Sequence, residues 1–436
     1  MESLRQYESW GRYPKATQTP QHLEWLHQKP TPPKVGTVLP YGLGRSYGDS
    51  CLNDGNQILV TQHLNRFISF NEQTGVLRCE SGVSLSDILE VVVHKGWFLA
   101  VTPGTKLVTI GGAIANDVHG KNHHRNGTFG AHVRSFKLWR SSQEQIVCSP
   151  SQNVELFRAT IGGLGLTGLI LWAEIQLVRI ATPFLDVEYV KFKNLEGFLQ
   201  LAKTSDKDFE HTVAWVDCTA KGAALGRGIF MRGNYASDIL GTSPVRIKKG
   251  ITLPIDAPDW LLNKTTIGVF NDLYFRKHKV FSQKRVFYDG FFYPLDAIGG
   301  WNRMYGKRGF FQYQFVIPVE QALAATTEIL QQVSNAGSAS FLSVMKIFGD
   351  KEPAGLLSFP KSGITVAMDM ANQGAKTLTL LDNLDKIVHK SGGRLYPAKD
   401  ARMSAAMFKD FYPNWQEFSK FIDPGFSSSF WRRVNQ

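Results

Sequence analysis

Chemistry concentrates in one stretch, Thr102 to Gly130, which reads TPGTKLVTIGGAIANDVHGKNHHRNGTFG and holds six Gly and three His between apolar segments. Gly111 and Gly112 remove Cβ where a backbone must come close to something flat or phosphorylated. The small run Ala113-Ile114-Ala115 suits the start of a short helix, whose N-terminal N–H groups would then face an anion. His119, Lys121, His123 and His124 add imidazoles and a cation. The pattern reads as a cofactor cradle. Upstream, YGLGRSYGDS sets Gly42, Gly44 and Gly48 around Arg45, Ser46 and Tyr47. Read alone, it is either an anion nest of consecutive N–H donors or a plain surface turn. No GK[ST] follows, so it is not a Walker loop.

Other chemistry fits less well. Gly163 to Gly168 matches GxGxxG, but a helix-like run (153–160) precedes it and a strand-like run (169–178) follows. A dinucleotide fingerprint needs the opposite order, so only close backbone packing against a ligand is retained. His119, His123 and His124 lack a HExxH spacing and a paired acid, and no metal site is expected. No GxSxG is present for a serine hydrolase. The net charge of +12 is not accompanied by a helix-turn-helix, RNP or zinc pattern, so nucleic acid is not an expected partner.

These residues need elements to hold them. Strand-like runs cover 57–60, 67–70, 75–80 and 96–100, and a Ser-capped helix covers 84–92. Residues 132–139 and 145–148 read as a hairpin. The glycine-loop pattern stops near Arg179 to Pro183, which marks a domain boundary. Beyond it, strands are expected at 185–192, 213–217, 228–231, 309–317, 341–348 and 364–370, with helices at 195–203, 377–390 and 403–411. Alternation puts Gln312 and Gln314 on one face of their strand, and Lys346 on one face with Ser340, Leu342 and Val344. A lysine among such neighbours either meets an anion or snorkels from an edge. Residues 235–285 read as a basic loop, with nine Lys or Arg against four Asp and with Trp260, Leu261, Leu262, Val269 and Phe270 inside it. That composition suits either a lid touching an anionic lipid surface or a solvated loop.

The bulk numbers agree with this picture. At 436 residues two domains are the prior, and 43% hydrophobic with 20% charged residues is globular. The four Cys are far apart without a CxxC pair, as in reduced thiols of a cytosolic protein. No window of ~18 uninterrupted apolar residues offers a membrane span. The N-terminus lacks the apolar core of a signal peptide.

Together YGLGRSYGDS, the Thr102–Gly130 stretch and IGGLGLTGLI resemble the FAD-binding domain of the vanillyl-alcohol-oxidase-like (PCMH-type) flavoproteins. HGKNHH, WNRMYGKRGFFQYQFVIP, LSFP and GGRLYPAKDARM resemble more closely the decaprenyl-phosphoryl-β-D-ribose 2′-oxidase family, from about residue 10 to the C-terminus. The resemblance implies an α+β fold: a PCMH-type FAD-binding domain of two α+β subdomains over 1–182, and a substrate domain with a large antiparallel sheet and helices over 183–393. The basic segment 235–285 would be flexible, and 394–436 would return to the FAD domain.

The same resemblance assigns roles. FAD would contact Gly42, Leu43, Gly44, Arg45, Ser46, Tyr47, Gly48, Gly104, Thr109, Gly112, Asn116, His119, Gly120, Ile170 and Tyr396. Substrate would meet Gln312, Gln314, Lys346, Phe348, Trp215 and Lys399, with Lys399 and Tyr47 as catalytic residues. Lys399 is either a base or a phosphate anchor. Arg45 stands where covalent relatives carry a His, which implies non-covalent FAD. The implied reaction oxidises the 2′-hydroxyl of a polyprenyl-phosphoryl-β-D-ribose to a ketone. A short-chain reductase would complete an epimerisation to the arabinose donor of cell-envelope polysaccharide. A quinone-type acceptor and peripheral contact with the cytoplasmic face of the inner membrane complete the expectation. Ala367 and Thr365 depart from the Cys and Asn of the family's best-known members, beside the sugar pocket. A competing reading is an FAD-dependent oxidase of a soluble sugar alcohol or aldonolactone, and a third is a basic binding protein without catalysis.

Overall fold

Proline and glycine punctuation cuts the first part of the chain into short strands. β1 (Thr19–His22), β2 (Val38–Tyr41) and β3 (Gln57–Val60) form a parallel sheet in the order β1-β3-β2. β2 delivers the chain into the Gly42–Gly48 loop. There follow β4 (Phe67–Asn71), β5 (Val76–Glu80), α1 (Leu85–Val92), β6 (Trp97–Leu99), α2 (Ile110–Ala115), α3 (His123–Asn126), β7 (Val133–Trp139), β8 (Gln145–Cys148), α4 (Val154–Thr160) and β9 (Leu169–Arg179). Five of these strands make an antiparallel sheet in the order β4-β5-β9-β7-β8, and β6 joins β9. Local signals start the helices. Ser84 and Asp87 form a capping box on α1, and the Thr109 hydroxyl accepts from the Gly112 N–H at the start of α2.

After Arg179 the chain builds one large sheet and, apart from it, a two-stranded parallel pair of Ile251–Thr252 with Ile298–Gly299. The elements are β10 (Phe184–Phe192), α5 (Leu195–Ser205), β11 (His211–Val216), β12 (Gly228–Tyr235), β13 (Ile251–Thr252), α6 (Lys264–Lys277), β14 (Phe281–Phe287), α7 (Tyr288–Phe292), β15 (Ile298–Gly299), β16 (Phe310–Ile317), α8 (Val319–Ala336), β17 (Ser343–Phe348), β18 (Gly363–Ala371), α9 (Ala375–Lys390) and β19 (Arg394–Leu395). Eight strands lie in the order β14-β10-β12-β11-β17-β18-β16-β19, antiparallel at each pairing. α5, α8 and α9 cover one face with an apolar core that includes Phe198, Ile329, Leu330, Leu384 and Val388. Both faces of the central strands are buried, so β11 and β16 read as nearly continuous apolar runs.

The computed structural model describes residues 7–238, 251–258, 261–338 and 340–436. Two readings of the sequence change here. The 235–285 stretch is not one long loop: it contains the 14-residue α6 and the strand β14. Asn263 caps α6 through the Thr265 and Thr266 N–H groups, and Ile267, Phe270 and Tyr274 recur at helical spacing among polar residues that mask the pattern. Arg246, Lys248, Lys249 and Trp260 of that stretch lie outside the described residues. The second change is α8, a helix absent from the sequence reading, which Gly337 ends at φ 66.

The last segment carries α10 (Ala405–Phe411), α11 (Trp415–Ser419) and α12 (Ser429–Val434). β19 pairs with the edge of the large sheet, and the chain then packs against the first half. Val38 and Phe426 form a parallel bridge. Arg140 pairs with Asp423 at 2.9 Å, and Arg433 reaches Asp49 and Asp400, each at 2.8 Å. One apolar cluster accordingly runs from Leu39 and Leu164 through Phe315 and Val366 to Phe408 and Trp431.

Candidate active site

A cavity of about 850 Å³ lies between the glycine-rich loops and the large sheet, near the top of the range that ligand pockets occupy. All the site residues named from the sequence line it except Gly48 and Phe348. A Cβ at Gly48 would fall 1.6 Å from the Asp400 carbonyl oxygen, so this glycine lets the first loop pack on the loop that carries Lys399. Phe348 is buried behind His119, with ring centroids 4.7 Å apart. Both residues support the wall and do not face the cavity.

The loop after β2 resolves as a nest. The N–H groups of Gly42, Leu43, Gly44, Arg45 and Ser46 donate to no acceptor among the described residues, and the next one, on Tyr47, is taken by the Ala398 carbonyl at 2.9 Å. Five consecutive unsatisfied donors on a cavity wall suit a pyrophosphate. The expectation for α2 is corrected. Its first N–H groups are already used, Ile110 to Val83, Gly111 to Ser81 and Gly112 to the Thr109 hydroxyl. α2 therefore supplies a close, small-residue wall and not the anion donors. Gly165, Gly168 and Ile170, from the GxGxxG segment and the start of β9, line the cavity too. Nest, glycine wall and volume together fit FAD.

The opposite wall is the large sheet, and its register explains which side chains meet. Residues directly opposite in an antiparallel sheet share a face. One row across four strands is Trp215, Val344, Ala367 and Gln314. The flanking pairs are Lys346 opposite Thr365 and Gln312 opposite Asp369. Sequence alternation gave the face within each strand, and pairing brings four strands to one surface.

Electrostatics mark two points on it. The Lys399 Nζ lies 3.7 Å from the centroid of the Tyr47 ring. Burial pushes Lys399 down to about 7, and attraction to Asp369 partly opposes this. Asp369 is fully buried, accepts from the Gln312 amide at 2.6 Å, and is pushed up to about 7 by burial. Farther along, Lys346 Nζ lies 3.1 Å from His119 Nδ1, and burial also pushes this lysine down to about 7. His119 Nε2 is 3.0 Å from the Gln314 amide nitrogen, and burial holds its pKa well below that of an ordinary imidazole. Tyr396 donates to the Asn116 carbonyl at 2.8 Å and closes the wall near His119.

Sequence reasoning missed Asp369, although an acid at an alternating position of an otherwise apolar strand was a usable signal. Phe270 of α6, expected only as an apolar residue of the basic stretch, lines the cavity, as do Tyr274 of α6 and Phe291 and Phe292 of α7, which sequence reasoning did not single out. Nothing local in the sequence marked the α7 pair.

Comparison with known proteins gives the following. The FAD binding domain family matches residues 34–149. The decaprenylphosphoryl-β-D-ribose oxidase of Mycolicibacterium smegmatis is 37% identical over 413 residues, spanning 91% of this chain and 89% of the relative. An uncharacterised Streptomyces coelicolor protein is 30% identical over 81% of this chain and its own whole length. The D-arabinono-1,4-lactone oxidase of Yarrowia lipolytica is 27% identical over 35% of this chain and 30% of the relative.

Proposed function

The chain belongs to the decaprenylphosphoryl-β-D-ribose oxidase family and is an FAD-dependent oxidoreductase, and on that premise we propose that it oxidises the 2′-hydroxyl of a polyprenyl-phosphoryl-β-D-ribose to the 2′-ketone. One observation carries the reading: the Lys399 amine, Tyr47 and Gln312, the last backed by buried Asp369, converge in the cavity that the backbone nest lines. When bound, FAD supplies the acceptor for the electron pair that leaves C2′ with hydrogen. Lys399, with its pKa pushed to about 7, takes the hydroxyl proton onto Nζ, while the Tyr47 face holds the nitrogen in place. Gln312 and Gln314 orient the sugar hydroxyls. Arg45 cannot form the histidine–flavin bond of covalent relatives, so FAD is held non-covalently. The remaining cofactor and substrate contacts are those named from the sequence, with Gly48 and Phe348 acting behind the wall.

The 2′-ketone would pass to a short-chain reductase that completes epimerisation, and a quinone-type compound would serve as the final electron acceptor. Among the described residues no helix is long and apolar enough to cross a membrane. The chain is placed at the cytoplasmic face by its resemblance alone, and peripheral membrane contact is supported by α6, which lines the cavity with Phe270 and Tyr274 and exposes Val269 and Leu273 beside Lys264, Arg276 and Lys277. Product analysis tests the activity. After turnover with farnesyl-phosphoryl-β-D-ribose, borodeuteride reduction should place deuterium at C2′ in both ribo and arabino products. Recovery of unlabelled ribose alone would overturn the assignment.

A further inference from the structure

Lys121 lies in HGKNHH, lines the cavity, and has no role in the reaction as derived so far. Its Nζ donates to the Phe292 carbonyl at 3.1 Å, with the Phe291 and Phe292 ring centroids at 5.3 and 5.7 Å. Among the described residues it has no carboxylate within ion-pair distance, and neither has Lys346. The two lysines are neighbours: Lys346 Nζ donates to the Gly120 carbonyl at 3.3 Å, on the peptide that leads into Lys121. The Lys121 backbone is fixed as well, since its carbonyl accepts from Thr212 of β11 at 2.8 Å. Repulsion from Lys121 is the second cause, after burial, of the lowered pKa of Lys346.

Holding both ammonium groups charged on a buried wall without a counter-ion is costly. Such an arrangement is stable in use when a ligand brings the negative charge. The surroundings say what else the ligand carries. On one side lie Gln314 and Lys399, suited to a sugar. On the other, the sheet row Tyr189, Met231 and Val213 continues the cavity face past Trp215, with Phe270 and Tyr274 of α6 also lining it. That path is apolar and aromatic.

We propose that Lys121 and Lys346 together form the phosphate subsite, clamping an anion between the sugar end of the cavity and an apolar channel for the prenyl chain. The inference rests on the polyprenyl-phosphoryl substrate proposed above and adds a positioning residue to it. Lysine ammoniums bind phosphate as point charges, so arginine at residue 121 should largely substitute.

The test uses FAD-loaded protein and farnesyl monophosphate, which has the anion and the chain but no sugar, with farnesol as the neutral control. K121M should weaken farnesyl monophosphate binding about tenfold or more by calorimetry, a loss of ~1.4 kcal/mol. K121R should stay within about threefold, and farnesol should bind all three proteins alike. With farnesyl-phosphoryl-β-D-ribose, KM should rise in K121M while kcat stays within about threefold. Unchanged farnesyl monophosphate binding in K121M, or an equal loss of farnesol binding, would overturn the subsite. If K121M does not retain flavin, K121Q carries the same comparison. Wild-type protein that binds farnesyl monophosphate through Lys121 but never oxidises the prenyl-phosphoryl ribose would keep the subsite and remove the substrate assignment.

Discussion

Lys346 Nζ lies 3.1 Å from Nδ1 of His119, and this contact fixes where protons sit on one wall of the cavity. The Thr365 hydroxyl donates to the Phe315 carbonyl, so it accepts from the Gln314 amide nitrogen at 3.3 Å. The same nitrogen faces His119 Nε2, which must then accept. That leaves the imidazole proton on Nδ1 and requires an uncharged amine at Lys346.

The first prediction concerns stability against pH. An unfolded Lys346 keeps its proton to about pH 10.5, whereas burial makes the folded one release it near 7. The unfolded state binds more protons between those values, so this group makes stability rise with pH from about 7 to 10. K346M should flatten that rise in scanning calorimetry of the flavin-loaded protein. Any gain in Tm from the substitution should be largest near neutral pH and shrink toward pH 10. A slope identical to wild type would contradict the proton assignment.

The proposed mechanism makes Lys399 the group that sets the rate. K399M should keep its flavin spectrum and lose about 10²–10⁴-fold in kcat, the range for a positioned base. Wild-type kcat should rise with pH and level off above about 7, because Lys399 must be uncharged to accept the proton. By contrast kcat/KM should fall again at higher pH as Lys346, lowered to about 7, and then Lys121, lowered to about 8, lose the charges that hold phosphate. A kcat that is flat from pH 6 to 9 would make Lys399 an anchor and not a base.

Asp369 tunes that lysine. Its charge favours the ammonium, so D369N should move the rising limb of kcat to lower pH. The amide can still pair with Gln312, which keeps the sheet face intact. A limb that moves upward, or stays, would remove Asp369 from the proton balance.

Flavin attachment gives a fourth outcome. Acid precipitation should leave the yellow colour in the supernatant, because Arg45 offers no nucleophile and its guanidinium lies 4.0 Å over the Trp10 ring. Colour retained in the pellet would mean a covalent link through another residue.

How much of this was legible in the sequence differs from residue to residue. The glycine loops, the β7–β8 hairpin and the β16, β17 and β18 strands follow from turn chemistry and period-two alternation, which are local. The row Trp215, Val344, Ala367 and Gln314 depends on strand pairing between residues 23 to 129 positions apart, which no local pattern reports. α6 was hidden because its apolar spacing is diluted by Lys, Thr and Asn. The donor role expected of α2 failed for a tertiary reason, since Val83 and Ser81 capture its first N–H groups.

The most direct measurement is anaerobic mixing of the flavin-loaded enzyme with farnesyl-phosphoryl-β-D-ribose, followed at the flavin absorbance, beside an aldonolactone control. Bleaching by the prenyl-phosphoryl ribose, absent in K399M and absent with the aldonolactone, is the expected result. Bleaching by the aldonolactone alone would contradict the account and assign the cavity to a soluble sugar.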